Sequence, residues 1–300
     1  MNIRDLEYLV AIAKYSHFGK AAEACFVSQP ALSIQIQKME KYLGVKLLER
    51  SNKQVKLTES GVIIAEQASK IVEQVKELRD VAQAAKDPFK GNLVLGIFPT
   101  LAPYLLPKII SGITERYPGL TLHLLEEKTE ILIEKLKTGK IHAAILALPI
   151  NIPGTEIHPI FKEDFLLAIP YHHPFAKKQS INIKSLNEKE LLLLEEGHCM
   201  RDQMMAFCQK VNAIEKTNFR ATSLEVLRHM VFSGSGITLM PYLATEKCTL
   251  LKYVSMASPT PNRTLCMVWR KTCLKKFLLL DLVKSIKNIL RKNKSIQVLD

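Results

Sequence analysis

The chain has 300 residues, 47% hydrophobic and 24% charged, with 42 Lys+Arg against 29 Asp+Glu for a formal net charge of +13. That length suggests about two domains, each able to bury a real core. No apolar run reaches the roughly 18 residues that a membrane span needs, and the start MNIRDLEYLV carries no secretory pattern. A cytoplasmic protein with no membrane partner is expected.

Six cysteines (Cys25, Cys199, Cys208, Cys248, Cys266 and Cys273) are too few and too scattered for a disulfide framework. None sits in a Cys-x-x-Cys pair, so a zinc site is not expected. In a reducing compartment a disulfide among them is transient and sensory rather than structural. The positive charge points to a polyanionic partner, most simply nucleic acid. Its distribution does not localise that partner. Residues 1–60 hold nine Lys+Arg against six Asp+Glu, and residues 271–294 hold eight against one.

Residues 4–14 place Leu6, Leu9, Val10 and Ala13 on one helical face. A break at Ser16–His17 precedes a second short helix, and Ser28 with Pro30 opens a third near residue 30, Ser28 as N-cap and Pro30 in the first turn. Two short helices joined by a tight turn read as a helix-turn-helix. On the third helix Gln29, Ala31, Ser33, Ile34, Gln35 and Lys38 face outward. Gln and Ser side chains can read base edges, Lys38 and Lys41 suit phosphate, and Ser28 and Pro30 at the helix start join the expected DNA-binding set. Residues 44–50 and 55–57 then read as two strands of a wing whose Arg50 and Lys53 can touch the DNA backbone. From Thr58, whose Thr-Glu-Ser-Gly run has capping chemistry, Ile64, Ala68, Ile71, Val75, Leu78, Ala82 and Ala85 recur at alternating spacings of four and three. That heptad seam favours a linker helix pairing with a second copy, though such a stripe can also pack on its own domain.

After Pro88 the pattern is alternating α/β. Strands are expected at 92–97, 120–125, 143–148, 165–169, 191–194, 219–222, 237–240 and 264–269, with helices between them, and with parallel sheets as the consequence. A crossover near 161–164 suits two lobes around a cleft, where ligands bind at the carboxyl ends of strands. No Gly-x-Gly-x-x-Gly, Walker or Gly-x-Ser-x-Gly pattern occurs.

The stretch LLLLEEGHCMRDQMMAFC, residues 191–208, reads as a buried strand, a glycine turn and a helix starting near Cys199. A thiol at a helix N-terminus, flanked by His198 and Arg201, sits where the thiolate is favoured. Cys208 follows nine residues later, about 13 Å along a helix. A disulfide needs Cα atoms within about 7 Å, so the pair joins only if the helix comes apart. On these residues alone, two buried thiols acting as small hydrophobes is an equally good reading.

The block FGKAAEACFVSQPALSIQIQKMEKYLGVKLLER, followed by LTESG, resembles the DNA-binding domain of LysR-type transcriptional regulators, and the resemblance runs over essentially the whole chain. PTLAPYLLP, GHCMRDQMMAFC, FRATSLEVLRHMV and GSGITLMP resemble the peroxide-sensing members of that family. The resemblance implies an α/β fold class in three segments. These are a winged helix-turn-helix (1–58), a dimerising linker helix (59–88) and a two-lobed, periplasmic-binding-protein-like regulatory domain (89–300). Lobe I would hold about 89–162 and 266–300, and lobe II about 163–265. It further implies that Cys199 is the peroxidatic and Cys208 the resolving thiol, joined on oxidation. Thr100, Thr129, His198 and Asp202 match positions near the peroxide pocket, and Arg263 and Arg270 both fall close to the family's pocket arginine. The implied partners are double-stranded promoter DNA, hydrogen peroxide as signal, RNA polymerase, a glutaredoxin- or thioredoxin-like dithiol reductant, and further copies in a homodimer or homotetramer. No cofactor is implied, and the setting is the bacterial cytoplasm and its nucleoid. Ile34 departs from the polar or basic residue of many relatives. The readings set against this one are a family member that binds a small organic effector in the cleft and, from another class, a thiol peroxidase.

Overall fold

A computed structural model describes residues 1–50, 55–245, 251–292 and 296–299, which form two compact units, Met1–Ala82 and Gln83–Asp300. The first begins with α1 (Ile3–Tyr15), whose Asn2 cap accepts from the Asp5 amide while Asp5 accepts from the Asn2 amide. His17 caps α2 (Phe18–Ala24) by accepting from the Lys20 amide, and Ser28 caps α3 (Gln29–Leu43) by accepting from the Ala31 amide at 3.3 Å. The expected start of the third helix is therefore the one found. Leu9, Ile12, Ala21, Leu32, Ile36 and Met39 close a small core beneath these helices.

The wing follows as β1 (Leu48–Arg50) paired antiparallel with β2 (Val55–Leu57). The turn between them, with the expected phosphate contact of Lys53, lies outside the described residues. Glu40 ties α3 to the wing. Its carboxylate is buried and accepts from the Leu47 and Leu48 amides at 2.9 and 3.3 Å, with Lys46 Nζ at 3.2 Å. Thr58 caps α4 (Glu59–Lys86) by accepting from the Gly61 amide. Gly61 is there because a Cβ would lie 2.1 Å from the Leu47 carbonyl oxygen.

The burial on α4 departs from a simple seam. Ala65, Ala68 and Val72 face the helix's own core, whereas Ile71 and Leu78 are 42% and 67% exposed. Of the expected stripe, Ala68 is thus spent inside its own domain, because Ala65, Ala68 and Val72 also recur at helical spacing. The side chain of Ala85 lies outside the described residues.

The second unit continues with β3 (Gly91–Ile97), α5 (Ala102–Arg116), β4 (Leu120–Glu126), α6 (Thr129–Lys137), β5 (Ala143–Ala147) and β6 (Thr155–Ile169). Next come β7 (Ser180–Ile181), β8 (Glu190–Leu194), α7 (Cys199–Val211), β9 (Ile214–Ala221), α8 (Leu224–Phe232) and β10 (Thr238–Pro241). The described chain closes with β11 (Lys252–Met256), β12 (Asn262–Arg270), α9 (Lys276–Leu290) and β13 (Gln297–Val298).

The sheet is mixed, not purely parallel as expected. β4-β3-β5 run parallel, but β12 pairs antiparallel with both β5 and β6, and β6 pairs antiparallel with β10, β11 and β13. The physical reason is the long strand pair β6–β12. Within it β6 passes straight from one lobe into the other, with Phe161 in the first core and Phe165 in the second, where a helical crossover would have been needed to keep every strand parallel. Pro159 sits where the β6–β12 register shifts, the place in a sheet interior that tolerates a proline.

Two cores follow. In lobe I, Leu93, Leu95, Ile145, Leu278 and Trp269 pack together; in lobe II, Leu167, Leu192, Met204, Leu227 and Leu239 do so. Trp269 is fully buried and stacks on His158 with ring centres 4.2 Å apart.

Candidate functional site

Beyond the buried strand β8, Gly197 adopts φ +87°, a left-handed backbone that suits glycine, and turns the chain into α7 at Cys199. Cys199 and Cys208 lie on this one continuous helix, nine residues apart. Most of α7 packs into lobe II through Met200, Met204, Phe207, Cys208 and Val211, yet Cys199 packs against the core of lobe I. Its thiol therefore stands between the lobes while its partner is buried within one of them.

Around Cys199 the structure gathers side chains from both lobes. Thr129, the first residue of α6, has a buried hydroxyl with no conventional hydrogen-bond partner; the group it serves is the Cys199 sulfur, whose ionised form it favours. Arg263 is 1% exposed and donates to Glu163 Oε1 at 2.8 Å, to the Thr100 hydroxyl at 3.2 Å and to the Thr100 carbonyl at 3.1 Å. The other oxygen of Glu163 accepts from the Leu243 amide, and the rings of Phe98 and Phe165 face the guanidinium. A buried cation is held only when paired in this way.

Burial pushes the Cys199 thiol up, against the downward pull of Thr129, Arg263 and the Met200 amide, while Asp202 adds to the rise. The helix terminus and nearby cation thus do not outweigh burial, contrary to the expectation that they lower the resting thiol. Arg201 contributes little to it, because that side chain turns into lobe II, donating to both oxygens of Glu215 at 2.9 and 3.0 Å and to the Leu194 carbonyl. Burial raises Cys208 to about 11. His198 is buried with Nε2 unpartnered, 3.9 Å from Glu195 Oε1; burial and then Lys128 hold its pKa down, so it is neutral at pH 7. Asp202 is exposed one turn into α7.

Arg270 is a correction. It donates to the carbonyls of Leu136 and Ile141, at the end of lobe I away from the thiol. Seven residues of strand, roughly 23 Å, separate it from Arg263, so only Arg263 reaches the site. Two residues escaped the sequence reading. Glu163 stands in the polar run 162–164, and Lys128, which reaches across the cleft to Glu195, has no motif around it. Of the remaining thiols, Cys266 is buried, raised to about 12 by that burial, and donates to the Leu146 carbonyl. Cys273 is buried near the His142 carbonyl, and Cys248 lies outside the described residues.

In the first unit Gln29, Pro30, Ala31 and Lys38 are exposed on α3, and Ser33 and Gln35 are half-buried. Ile34 is 51% exposed on the same helix, and neighbouring Gln37 is exposed and polar, a position that the sequence argument passed over. The side chain of Arg50 lies outside the described residues.

Residues 3–62 match the family described as "Bacterial regulatory helix-turn-helix protein, lysR family", and residues 86–289 match the "LysR substrate binding domain". The chain is 45% identical over 273 residues to the "Hydrogen peroxide-inducible genes activator" of Dickeya chrysanthemi, covering 90% of each chain. It is equally similar to the "DNA-binding transcriptional dual regulator OxyR" of Escherichia coli K12, again over 90% of each. Among solved structures it resembles full-length OxyR C199D from Pseudomonas aeruginosa, with a TM-score of 0.74, 37% identity, and 96% of this chain and 95% of that one covered. A hydrogen-peroxide-bound cysteine-to-serine OxyR mutant from Corynebacterium glutamicum matches with a TM-score of 0.66 and 31% identity, over 97% and 93% of the two chains.

Proposed function

The chain belongs to the LysR family of bacterial helix-turn-helix regulators, and from that premise we propose that it is a DNA-binding transcriptional regulator switched by hydrogen peroxide through Cys199 and a reversible Cys199–Cys208 disulfide. The observation that carries this reading is the placement of one thiol. Cys199 starts a lobe II helix yet packs into lobe I beside Thr129 and near the buried Arg263, with a second thiol nine residues along the same helix.

The chemistry follows from the groups present. The Cys199 thiolate attacks one peroxide oxygen; the S–O bond forms as the O–O bond breaks, sulfur is oxidised, and the departing hydroxide takes up a proton to leave as water. Arg263 favours the thiolate, and the Thr129 hydroxyl can donate to an oxygen in the site. The Cys208 thiol then attacks the sulfenic sulfur, forming the S–S bond and releasing a second water. With Cys208 buried and its pKa near 11, it is inert until α7 loosens, so the second step is also a refolding step. The helical spacing of about 13 Å must fall below about 7 Å.

In this reading the protein acts on promoter DNA through α3 and the wing, as a homodimer or homotetramer in the bacterial cytoplasm. It meets RNA polymerase there and is reset by a glutaredoxin- or thioredoxin-like dithiol. The test is a thiol count and disulfide map of the reduced protein before and after one equivalent of peroxide. A Cys199–Cys208 disulfide, absent in Cys199→Ser, is expected. A map unchanged by peroxide, with DNA binding shifted instead by a small organic molecule, would favour an effector-binding member of the family.

A further inference from the structure

One lysine from lobe I holds the turn that leads into the reactive helix. Lys128, the residue before α6, carries its ammonium across to lobe II, where it bonds Glu195 Oε1 at 2.8 Å and the Glu196 carbonyl at 3.1 Å. Its stem lies against Gly197, where a Cβ would come within 3.0 Å of Lys128 Cδ. Glu195 Oε1 in turn approaches His198 Nε2 at 3.9 Å. The three residues at 195–197, directly before His198 and Cys199, are therefore gripped by a single side chain whose own chain neighbour is Thr129, the hydroxyl beside the sulfur.

We propose that Lys128 is a positioning residue for the redox reaction: its clasp on Glu195 and the Glu196 carbonyl seats Cys199 against Thr129 for the attack on peroxide, and it opposes the refolding that carries Cys199 to Cys208. The two consequences have opposite signs, and both come from geometry. Thr129 is fixed to lobe I and Cys199 to the end of a turn in lobe II, so their contact depends on how that turn is held across the cleft. To approach Cys208 the sulfur must leave the lobe I core, and the turn cannot follow it while Lys128 holds on. Lys128 does not touch the reacting atoms. It acts through the turn on one side and through Thr129 on the other.

The clasp is partly open to solvent, with Lys128 and Glu195 side chains 38% and 40% exposed. An ion pair of that kind contributes modestly, so the expected changes are about two- to fivefold in rate. This inference rests on the peroxide-sensing reading, and the experiment separates the two.

In the full-length protein, sulfenic acid formation is timed in a Cys208→Ser background by trapping with a dimedone-type reagent. Disulfide closure is timed in the intact pair by acid quench and mass spectrometry. Lys128→Met is expected to slow the first step and speed the second, and Lys128→Arg to keep both near wild type. Glu195→Gln, which leaves the bond to the Glu196 carbonyl, is expected to speed closure less than Lys128→Met does. The double variant is expected to be no faster than Lys128→Met alone, because that substitution already removes both bonds of the clasp. Rates unchanged in Lys128→Met, or effects that multiply in the double variant, would overturn the clasp while leaving the sensor intact. A wild-type chain that forms no disulfide with peroxide would overturn the sensor reading and the clasp together.

Discussion

Arg263 shows how much of this site depends on one side chain. It is fully buried, it neutralises an equally buried Glu163, and it fixes Thr100 by both its hydroxyl and its carbonyl. Replacing it with methionine leaves the Glu163 carboxylate without a counter-charge in the interior, which costs about 3–5 kcal/mol where one partner of a buried pair is removed. Urea unfolding of Arg263→Met is expected to fall by that amount, and Glu163→Gln in the same chain to recover part of it. A loss below 1 kcal/mol would mean that water reaches the pair. The residue scale is also where sequence reasoning had least to work with. Arg263 and Arg270 share a strand and a residue type, and what separates them is the length of β12, which puts only one of them near the cleft. Arg201 sits two residues from Cys199 in sequence, but its side chain is directed to Glu215 in lobe II.

At the scale of elements, capping and periodicity carried the reading well. Ser28, Thr58 and the glycine before Cys199 mark helix starts by chemistry that needs no tertiary knowledge, and α3, α4 and α7 begin where those residues place them. The first half of β6 was not legible, because Pro159 and the polar run 162–164 interrupt its apolar alternation, and what makes it a strand is pairing with β12. The tie between α3 and the wing carries a prediction of its own. Burial raises the Glu40 carboxyl, but the Leu47 amide, Lys46 and the Leu48 amide together hold its pKa below the ordinary value. A depressed carboxyl contributes stability above its unfolded pKa, near 4.3, and loses it as pH falls through the folded value. Glu40→Gln is therefore expected to weaken the winged helix at pH 7 and to flatten its loss of stability below about pH 4, as read by urea titrations from pH 3 to 7. Equal pH dependence in both proteins would count against the role of Glu40.

On the scale of the whole molecule, assembly and switching are given by the proposed reading to separate parts of the chain. On α4, Ile71 and Leu78 remain exposed after Ala65, Ala68 and Val72 have been buried, and a residual apolar stripe at heptad spacing suits a second copy of the helix. Leu78→Glu is expected to lower the oligomeric order by sedimentation velocity without slowing the oxidation of Cys199; unchanged assembly would assign pairing to another surface. Within the second unit β6 is shared by both lobes, with Ile160 and Phe161 in one core and Phe165, Leu167 and Ile169 in the other. The lobes are therefore not independent bodies, and a local event on α7 can be felt along that continuous strand and the β12 paired with it. The chain's one tryptophan sits on that route: Trp269 lies on β12, shut away from water and stacked on His158, in the lobe that supplies neither Cys199 nor Cys208. Its ultraviolet emission accordingly comes from a single dry environment. A shift in the colour or intensity of that light on adding peroxide would register how far the disturbance travels, with no label attached.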